Sequence, residues 1–226
     1  IVPEFERYVA ATILGDFITP ALVAEHAAWL IPHFYDSEKR AALLSIHSWL
    51  IRIDGRTILI DPCAGNHKPR RPGSAFNQLD TPWLEKLAAA GARPEDIDIV
   101  LCTHLHNDHC GWNTRLIDGR WVPTFPKARY YFSRVECDFW RNRPFDPTVA
   151  GSAITFGDSV LPVIEAGQDQ ALDGDETIAG CLHIAPAPGH TPGQMMARLA
   201  TSGAHDMLFV GDALHQDRKS TRLNSS

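Results

Sequence analysis

A short stretch of the chain concentrates side chains that bind metal ions. It directly follows an apolar, β-branched run, Ile97 to Leu101, which predicts a buried strand. Residues two apart on a strand point the same way, so His104 and His106 leave its end side by side. The turn-forming residues that follow bring Asp108 and His109 back toward the same point. Because imidazoles suit zinc and a carboxylate helps to hold a second dication, the H-x-H-x-D-H pattern predicts a metal site.

Two later segments add one metal-capable side chain each. His190 stands in the turn sequence P-G-H-T-P-G, and Asp212 follows the apolar run Met207 to Val210. A lone histidine or aspartate in such a place is usually a turn former or a cap. Here each stands where a two-metal site still lacks a ligand, which favours metal binding.

With these three motifs the chain resembles the metallo-β-lactamase superfamily, from about Ser45 to Gln216. The resemblance implies an α/β fold, a four-layer αββα sandwich of the metallo-β-lactamase type, with two metals at one edge of the sheets. We expect the sandwich to be incomplete at its C-terminal end. The resemblance also divides the ligands between the metals: His104, His106 and His190 on the first, Asp108 and His109 on the second, and Asp212 on both.

This ligand set indicates the cofactor and the type of chemistry. Histidines and carboxylates without thiolates suit Zn²⁺, two per intact site, with Mn²⁺ or Fe²⁺ as alternatives. Two metals about 3.5–4 Å apart share a hydroxide that exists near neutral pH. We therefore expect a hydrolase in which Asp212 holds the metals together and Asp108 also orients the hydroxide. His215 is a further catalytic candidate, because lactonase-like relatives often place a substrate-contacting side chain at this offset from the bridging aspartate.

The substrate class follows from the resemblance alone. The stretches around Asp61, around the histidine motif and from Gly211 to His215 resemble most the lactonase and organophosphate-hydrolase branch. That branch implies a small-molecule ester-type substrate (a lactone, an aryl or alkyl ester or a phosphotriester) with an apolar or aromatic group. Two alternatives stay open: a glyoxalase II-like thioester hydrolase, and an iron-dependent oxidoreductase on the same scaffold. A glyoxalase II-like enzyme needs basic side chains to bind the carboxylates of glutathione, and we identify no such cluster in this sequence.

Several residues near the motifs have predicted supporting roles. Asp61 either orients a ligating imidazole, since such rings need a partner on their other nitrogen, or simply forms the turn after its strand. Trp112 either walls the substrate pocket or covers the end of a helix. The irregular stretch from Arg141 to Phe156, with Phe145, is predicted to border the pocket.

Composition constrains the partners and the compartment. The chain has 226 residues, 44% of them hydrophobic, and a formal net charge of −6, which disfavours nucleic acid as a partner. It contains no apolar run of about 18 residues, so no membrane partner is expected. Five cysteines without C-x-x-C spacing predict free thiols in a reducing, cytoplasmic compartment, and Cys102 and Cys110 are expected to pack as small hydrophobes. A homodimer stays open.

The two ends of the sequence do not look native. The last ten residues, 217–226, match the translation of a common sequencing-library adapter, and Ile1 is not an initiator methionine. We therefore expect residues 1–216 to form a single domain that is incomplete at both ends, and residues 217–226 to be an artefact.

Local patterns predict the elements that position these residues. A hairpin is expected at Asp54-Gly55 and another at Asp118-Gly119, and Ser133 to Glu136 forms a capping box that opens a helix. The remaining predicted elements are helices at 19–29, 81–91 and 158–166 and strands at 43–53, 56–60, 128–132, 178–185, 195–199 and 207–210.

Overall fold

The computed structural model describes residues 1–10, 18–143, 153–201 and 205–213. The α-helices of this part are α1 (Pro20–Glu25), α2 (Ala27–Leu30), α3 (Trp83–Ala89), α4 (Asn107–Cys110), α5 (Arg134–Asn142), α6 (Ala153–Ser159) and α7 (Leu161–Glu165). The strands are β1 (Val2–Ala10), β2 (Tyr35–Asp36), β3 (Ala41–Ile53), β4 (Arg56–Ile60), β5 (Ile99–Leu101), β6 (Thr114–Ile117), β7 (Arg120–Pro123), β8 (Arg129–Ser133), β9 (Asp169–Leu172), β10 (Glu176–Ile178), β11 (Leu182–Pro186), β12 (Met195–Leu199) and β13 (Met207–Phe209).

The strands form two larger sheets and a separate hairpin. The first sheet has the order β1-β3-β4-β5-β8-β9, with β2 beside β3, and the second has the order β10-β11-β12-β13. Strands β4, β5, β8 and β9 run parallel, whereas the second sheet is antiparallel throughout. Because β4, β5 and β8 are parallel neighbours, their carboxyl ends meet at one edge, where α/β proteins usually bind ligands.

Alternate residues of β4 face two different layers, as expected for a strand buried on both faces. Leu59 points into a cluster with Trp83 of α3 and Trp140 of α5, so helices cover one face of the first sheet. Ile58 and Ile60 point into a second cluster between the two sheets. That cluster includes residues of the second sheet such as Ile184, Ala197 and Phe209.

The result is a helix, sheet, sheet arrangement, which supplies three layers of the αββα sandwich. The α/β fold class is therefore confirmed. On the outer face of the second sheet, His183 and Met196 are partly exposed and Arg198 is exposed. Whether the sandwich is incomplete at its C-terminal end stays a prediction.

Local sequence signals located most elements and misplaced some boundaries. The Asp54-Gly55 hairpin forms, with both residues at positive φ, and Thr19 caps α1 as the chain enters a helix at Pro20. The single strand predicted at 178–185 is wrong, because Ala179 and Gly180 both adopt positive φ and turn the chain between β10 and β11.

Other predictions failed for identifiable reasons. The helix predicted at 158–166 is divided into α6 and α7, with Pro162 in the first turn of α7. Thr81 does not cap α3, since its hydroxyl instead donates to Glu4. Both ends of the stretch predicted to be irregular are helical, because α5 extends to Asn142 and α6 starts at Ala153; residues 144–152 lie outside the described residues. Within the described ranges, no helix is both long and apolar enough to cross a membrane.

Candidate metal centre

The candidate metal ligands, and the aspartate expected to orient them, lie at strand ends of both sheets. The orienting residue Asp61 follows β4 and the candidate ligand His104 follows β5, at the edge where the parallel strands end. His190 lies in the turn after β11, and Asp212 lies in a short 3₁₀ turn after β13. A hydrogen bond from the Met195 amide to the Thr103 carbonyl, 2.8 Å long, ties the two sheets together at this edge.

Three imidazoles and one carboxylate converge in a first group. Nδ1 of His106 lies 3.1 Å from Nε2 of His104 and 2.9 Å from Nε2 of His190. Oδ2 of Asp212 lies 3.2 Å from Nε2 of His190 and 4.0 Å from Nε2 of His104. All four ligand atoms fall within 4.8 Å of one another. The structure thus brings together residues that are up to 108 positions apart in the chain.

A second group shares Asp212 with the first. Oδ1 of Asp212 lies 3.2 Å from Nε2 of His109, which itself lies 3.9 Å from Oδ2 of Asp108. Asp108 and His109 are adjacent on α4. One oxygen of the Asp212 carboxylate therefore faces the imidazoles of the first group, and the other faces the single imidazole of His109. His215, the third catalytic candidate, and Phe145 lie outside the described residues.

The first group has the geometry and the chemistry of a divalent cation site. Ligand atoms 2.0–2.1 Å from a tetrahedral ion stand about 3.3 Å apart, close to three of the four separations above. With the tautomers that leave these nitrogens unprotonated, a cation at the centre would accept a lone pair from each of the three imidazoles and from Asp212 at once. Nitrogen and oxygen donors without a thiolate suit zinc, manganese or iron.

Asp61 holds the Nδ1 sides of two of the candidate ligand rings, directly for His109 and through Thr103 for His104. Its Oδ2 lies 3.0 Å from Nδ1 of His109 and accepts from the Thr103 hydroxyl at 2.8 Å. The same hydroxyl lies 3.2 Å from Nδ1 of His104. Asp61 therefore orients His109 directly and His104 through Thr103, which leaves both Nε2 atoms facing the ligand groups. The predicted contact of Asp61 with a ligating imidazole is present.

Burial and charge shift the pKa values of the histidines in opposite directions. Burial, together with the neighbouring rings of His109 and His106, holds the pKa of His104 well below its usual value of 6.5. Burial alone would also lower the pKa of His109, but Asp212, Asp61 and Asp108 outweigh it and raise that pKa well above 6.5. Carboxylates thus concentrate around the second group, and imidazoles around the first.

The cysteines do not contribute thiolate ligands. All five are free thiols. Cys102 and Cys110 are fully buried, and burial raises the pKa of both thiols, so they stay protonated. The Cys110 thiol donates to the carbonyl of His106. The prediction that these two cysteines pack as small buried residues is confirmed.

Trp112 does not wall a pocket. Its ring is only 4% exposed and stacks on Trp83, with ring centroids 5.3 Å apart and planes 21° apart. Its indole N–H donates to Glu4, and its backbone N–H donates to Pro62. Of the two roles that the sequence left open, this burial excludes the pocket wall, and the contacts join Trp112 to the first residue of α3 and to β1.

Sequence reasoning missed the role of Glu136. The pattern S-x-x-E assigned it to a capping box, but only half of that box forms: the Ser133 hydroxyl accepts from the Glu136 amide. The side chain of Glu136 instead reaches the two segments that carry His104, His106 and His190. Nothing in the local pattern indicates these long-range contacts.

Comparison with known proteins establishes the family. Residues 41–222 match the family model of the metallo-beta-lactamase superfamily. Since this match covers most of the chain, the chain belongs to that superfamily.

Two curated relatives share part of their length with this chain. The protein YobT of Bacillus subtilis (strain 168), described as uncharacterized, is 28% identical over 185 residues, covering 76% of this chain and 63% of YobT. A hydroxyacylglutathione hydrolase of Aeromonas hydrophila is 30% identical over 169 residues, covering 74% of this chain and 45% of the relative. The chain thus spans less than two thirds of the length of either protein.

Solved structures share the same architecture. The crystal structure of the hydrolase AbOPH of the beta lactamase superfamily superposes with a TM-score of 0.71 at 29% identity, over 95% of this chain and 70% of that one. AidC, a dizinc quorum-quenching lactonase, superposes with a TM-score of 0.63 at 22% identity, over 94% of this chain and 70% of that one. At 22% identity, the similarity to AidC concerns the fold alone.

Proposed function

We propose that this protein is a dinuclear metal-dependent hydrolase that cleaves a small ester-type bond. The position of Asp212 carries the proposal. Its Oδ2 lies 3.2 Å from Nε2 of His190, and its Oδ1 lies 3.2 Å from Nε2 of His109. One carboxylate that faces the first group of imidazoles on one side and His109 on the other is suited to bridge two cations.

The residues of the proposed centre fall into two cation-binding sets and one supporting contact. His104, His106 and His190 would hold one cation, Asp108 and His109 would hold the other, and Asp212 would contact both. When bound, two divalent cations acidify water to supply a nucleophile near neutral pH and polarise the scissile carbonyl or phosphoryl oxygen. The chain keeps its own groups fixed for this task, since Asp61 orients His109. We propose Zn²⁺, with Mn²⁺ or Fe²⁺ as alternatives.

The substrate class we propose is a lactone, an aryl or alkyl ester or a phosphotriester with an apolar or aromatic group. The 29% identity to the hydrolase AbOPH supports hydrolysis. Next to the first group, Trp140 packs on His106 with ring centroids 5.5 Å apart, and the half-buried Phe139 packs on Trp140. Trp140 itself is buried, so of these two rings only the partly exposed Phe139 offers apolar surface to a substrate group.

A second candidate is thioester hydrolysis. The 30% identity to a hydroxyacylglutathione hydrolase favours it. The catalytic role of His215, three residues after Asp212, stays a prediction under either activity. We further propose a cytoplasmic protein that acts on a small molecule without nucleic-acid or membrane partners; the homodimer stays open.

The test is a substrate panel on the metal-free protein reloaded with zinc, manganese or iron. We expect metal-dependent cleavage of a medium-chain acyl lactone, an aryl ester or a phosphotriester. Cleavage of a glutathione thioester alone selects the second candidate, and iron with oxygen consumption selects an oxidoreductase. If no metal supports cleavage of any substrate, the proposal is wrong.

A matched pair of variants links activity to the bridge. Asp212→Asn removes the charge that two cations share, whereas Asp206→Asn makes the same change at an exposed residue paired with Arg198. We expect Asp212→Asn to lose the second metal and most of the activity, and Asp206→Asn to keep both.

A further inference from the structure

Glu136 is a fully buried carboxylate that contacts both histidine-bearing segments. It lies in the first turn of α5, directly after β8. Its Oε2 accepts from the Leu105 amide at 3.0 Å, and its Oε1 accepts from the Gly193 amide at 2.8 Å. Leu105 stands between His104 and His106, while Gly193 follows His190 by three residues. One side chain thus joins two ligand segments that come from different sheets.

The same carboxylate also fixes a ring that packs on a ligand. Oε2 of Glu136 accepts from the indole N–H of Trp140 at 2.8 Å, one turn further along α5. The Trp140 ring in turn packs edge-on against His106. Glu136 therefore contacts the first ligand group through three routes: the backbone between two histidines, the backbone after the third, and an aromatic neighbour.

The donors around Glu136 suit a charged carboxylate. The three contacts above are all N–H donors, and N–H bonds to an ionised carboxylate are stronger than those between neutral groups. Desolvating a charge is costly unless its oxygens are satisfied, so these three bonds constrain one another's geometry.

Gly193 shows how closely the two segments approach. A methyl group at this position would stand 2.5 Å from the Glu136 amide nitrogen and 2.8 Å from the Ser133 hydroxyl. Both are shorter than real Cβ contacts, and one of the neighbours is backbone that cannot move aside easily. The loop after His190 therefore reaches Glu136 only because residue 193 has no side chain.

We propose that Glu136 is a positioning residue that sets the separation between the His104–His106 segment and the His190 loop. By fixing that separation, it sets the geometry of the first ligand group and its affinity for a cation. The proposal deepens the proposed function, on which it rests for the identity of the site.

The experiment replaces Glu136 with Gln. A carboxamide accepts through one oxygen only and turns N–H donors toward either the Gly193 amide or the Leu105 amide and Trp140 indole. We expect an affinity for Zn²⁺ about 10–100-fold weaker than that of the wild type, measured by chelator competition. The visible spectrum of the Co²⁺-loaded variant is expected to change. Hydrogen exchange in the metal-free protein is expected to be faster at the amides of Leu105 and Gly193.

A matched control separates positioning from general stability. Glu4 is also buried, and it also accepts from a backbone amide, that of Ala64, and from an indole, that of Trp112. The partners of its carboxylate, Ala64, Thr81 and Trp112, lie outside the His104–His106 segment and the His190 loop. Glu4→Gln is expected to lower the melting temperature but to keep the wild-type Co²⁺ spectrum and the slow exchange at Leu105 and Gly193.

The outcomes are distinguishable. Wild-type zinc affinity and an unchanged Co²⁺ spectrum in folded Glu136→Gln overturn the inference. If Glu136→Gln does not fold, Gly193→Ala takes its place, because it displaces the loop from an intact carboxylate and is expected to weaken Zn²⁺ binding similarly; wild-type affinity there overturns the inference. A wild-type protein that binds no metal contradicts the proposed function. In that case hydrogen exchange at the Leu105 and Gly193 amides of the metal-free variants still tests whether Glu136 positions the two segments: faster exchange supports this role and unchanged exchange overturns it.

Discussion

At the scale of single residues, Asp61 shows how a second layer of contacts fixes the ligands. Its backbone has a φ of +52°, a left-handed conformation that L-residues adopt at a cost. In that conformation one oxygen accepts from the Thr103 amide at 2.7 Å and the other contacts His109. The strained backbone therefore serves to aim a carboxylate at a candidate ligand.

Asp61→Asn tests this role without changing the backbone preference, because asparagine also tolerates positive φ. The amide nitrogen replaces one acceptor, so either His109 or Thr103 loses its partner. We expect the affinity for the second cation to fall about 10–100-fold, measured by metal titration.

The control for this variant is Asp98→Asn. Asp98 also accepts from a backbone amide, that of Thr57, but it lies before β5, at the end away from the histidines. Unchanged metal binding in both variants would remove Asp61 from the account.

At the scale of elements, the join between the two sheets depends on a close approach after β13. Gly211 has a φ of +51°, and a methyl group there would overlap the Thr103 hydroxyl. Since Thr103 precedes His104, this packing brings Asp212 to the end of β5. The shared carboxylate therefore reaches the imidazoles because its neighbour is glycine.

Gly211→Ala and Gly119→Ala separate backbone strain from packing. Both glycines have positive φ, but nothing lies within 4 Å of a methyl group at Gly119. We expect Gly119→Ala to lower the free energy of unfolding by about 1–2 kcal/mol, and Gly211→Ala to lower it further because of the overlap with Thr103, measured by denaturant titration. Only Gly211→Ala is expected to lose bound metal as well; equal metal content in the two variants would refute the packing argument.

Sequence patterns predicted the convergence of the candidate ligands better than the contacts that position them. Clustered histidines after a β-branched run identify a site because their chemistry is local to a few residues, and Asp54-Gly55 identifies a hairpin for the same reason. The contacts of Glu136 and Trp112 were not predicted, because their partners are distant in sequence, Gly193 for the first and Glu4 for the second. The strand β1 was missed because its pairing with β3 is likewise non-local.

At the scale of the whole molecule, the buried ammonium group of Lys68 joins several elements. Nζ of Lys68 donates to the Thr114 hydroxyl at 2.8 Å and lies 3.8 Å from the centre of the Trp121 ring. It also lies 3.5 Å from a carboxylate oxygen of Asp158, which Arg70 contacts as well. Burial lowers the pKa of Lys68 to about 8, although Asp158 opposes the shift.

This pKa predicts a pH dependence of stability with a definite sign. Below about pH 8 the lysine is protonated in both states, but between about pH 8 and 10.5 only the unfolded state binds the proton. Raising the pH through this window therefore stabilises the folded protein relative to Lys68→Met, which has no such proton. From about pH 7 to 9.5 we expect the difference in unfolding free energy to change by about 2 kcal/mol in favour of the wild type. A difference that is independent of pH would show that Lys68 titrates normally.

The central claim is that Asp212 lies between two metal positions, and anomalous scattering at the zinc edge from crystals of the zinc-loaded protein tests it most directly. We expect two peaks per chain about 3.5–4 Å apart, one among His104, His106 and His190 and one beside Asp108 and His109, with Asp212 between them. A single peak, or peaks away from these side chains, would contradict the account.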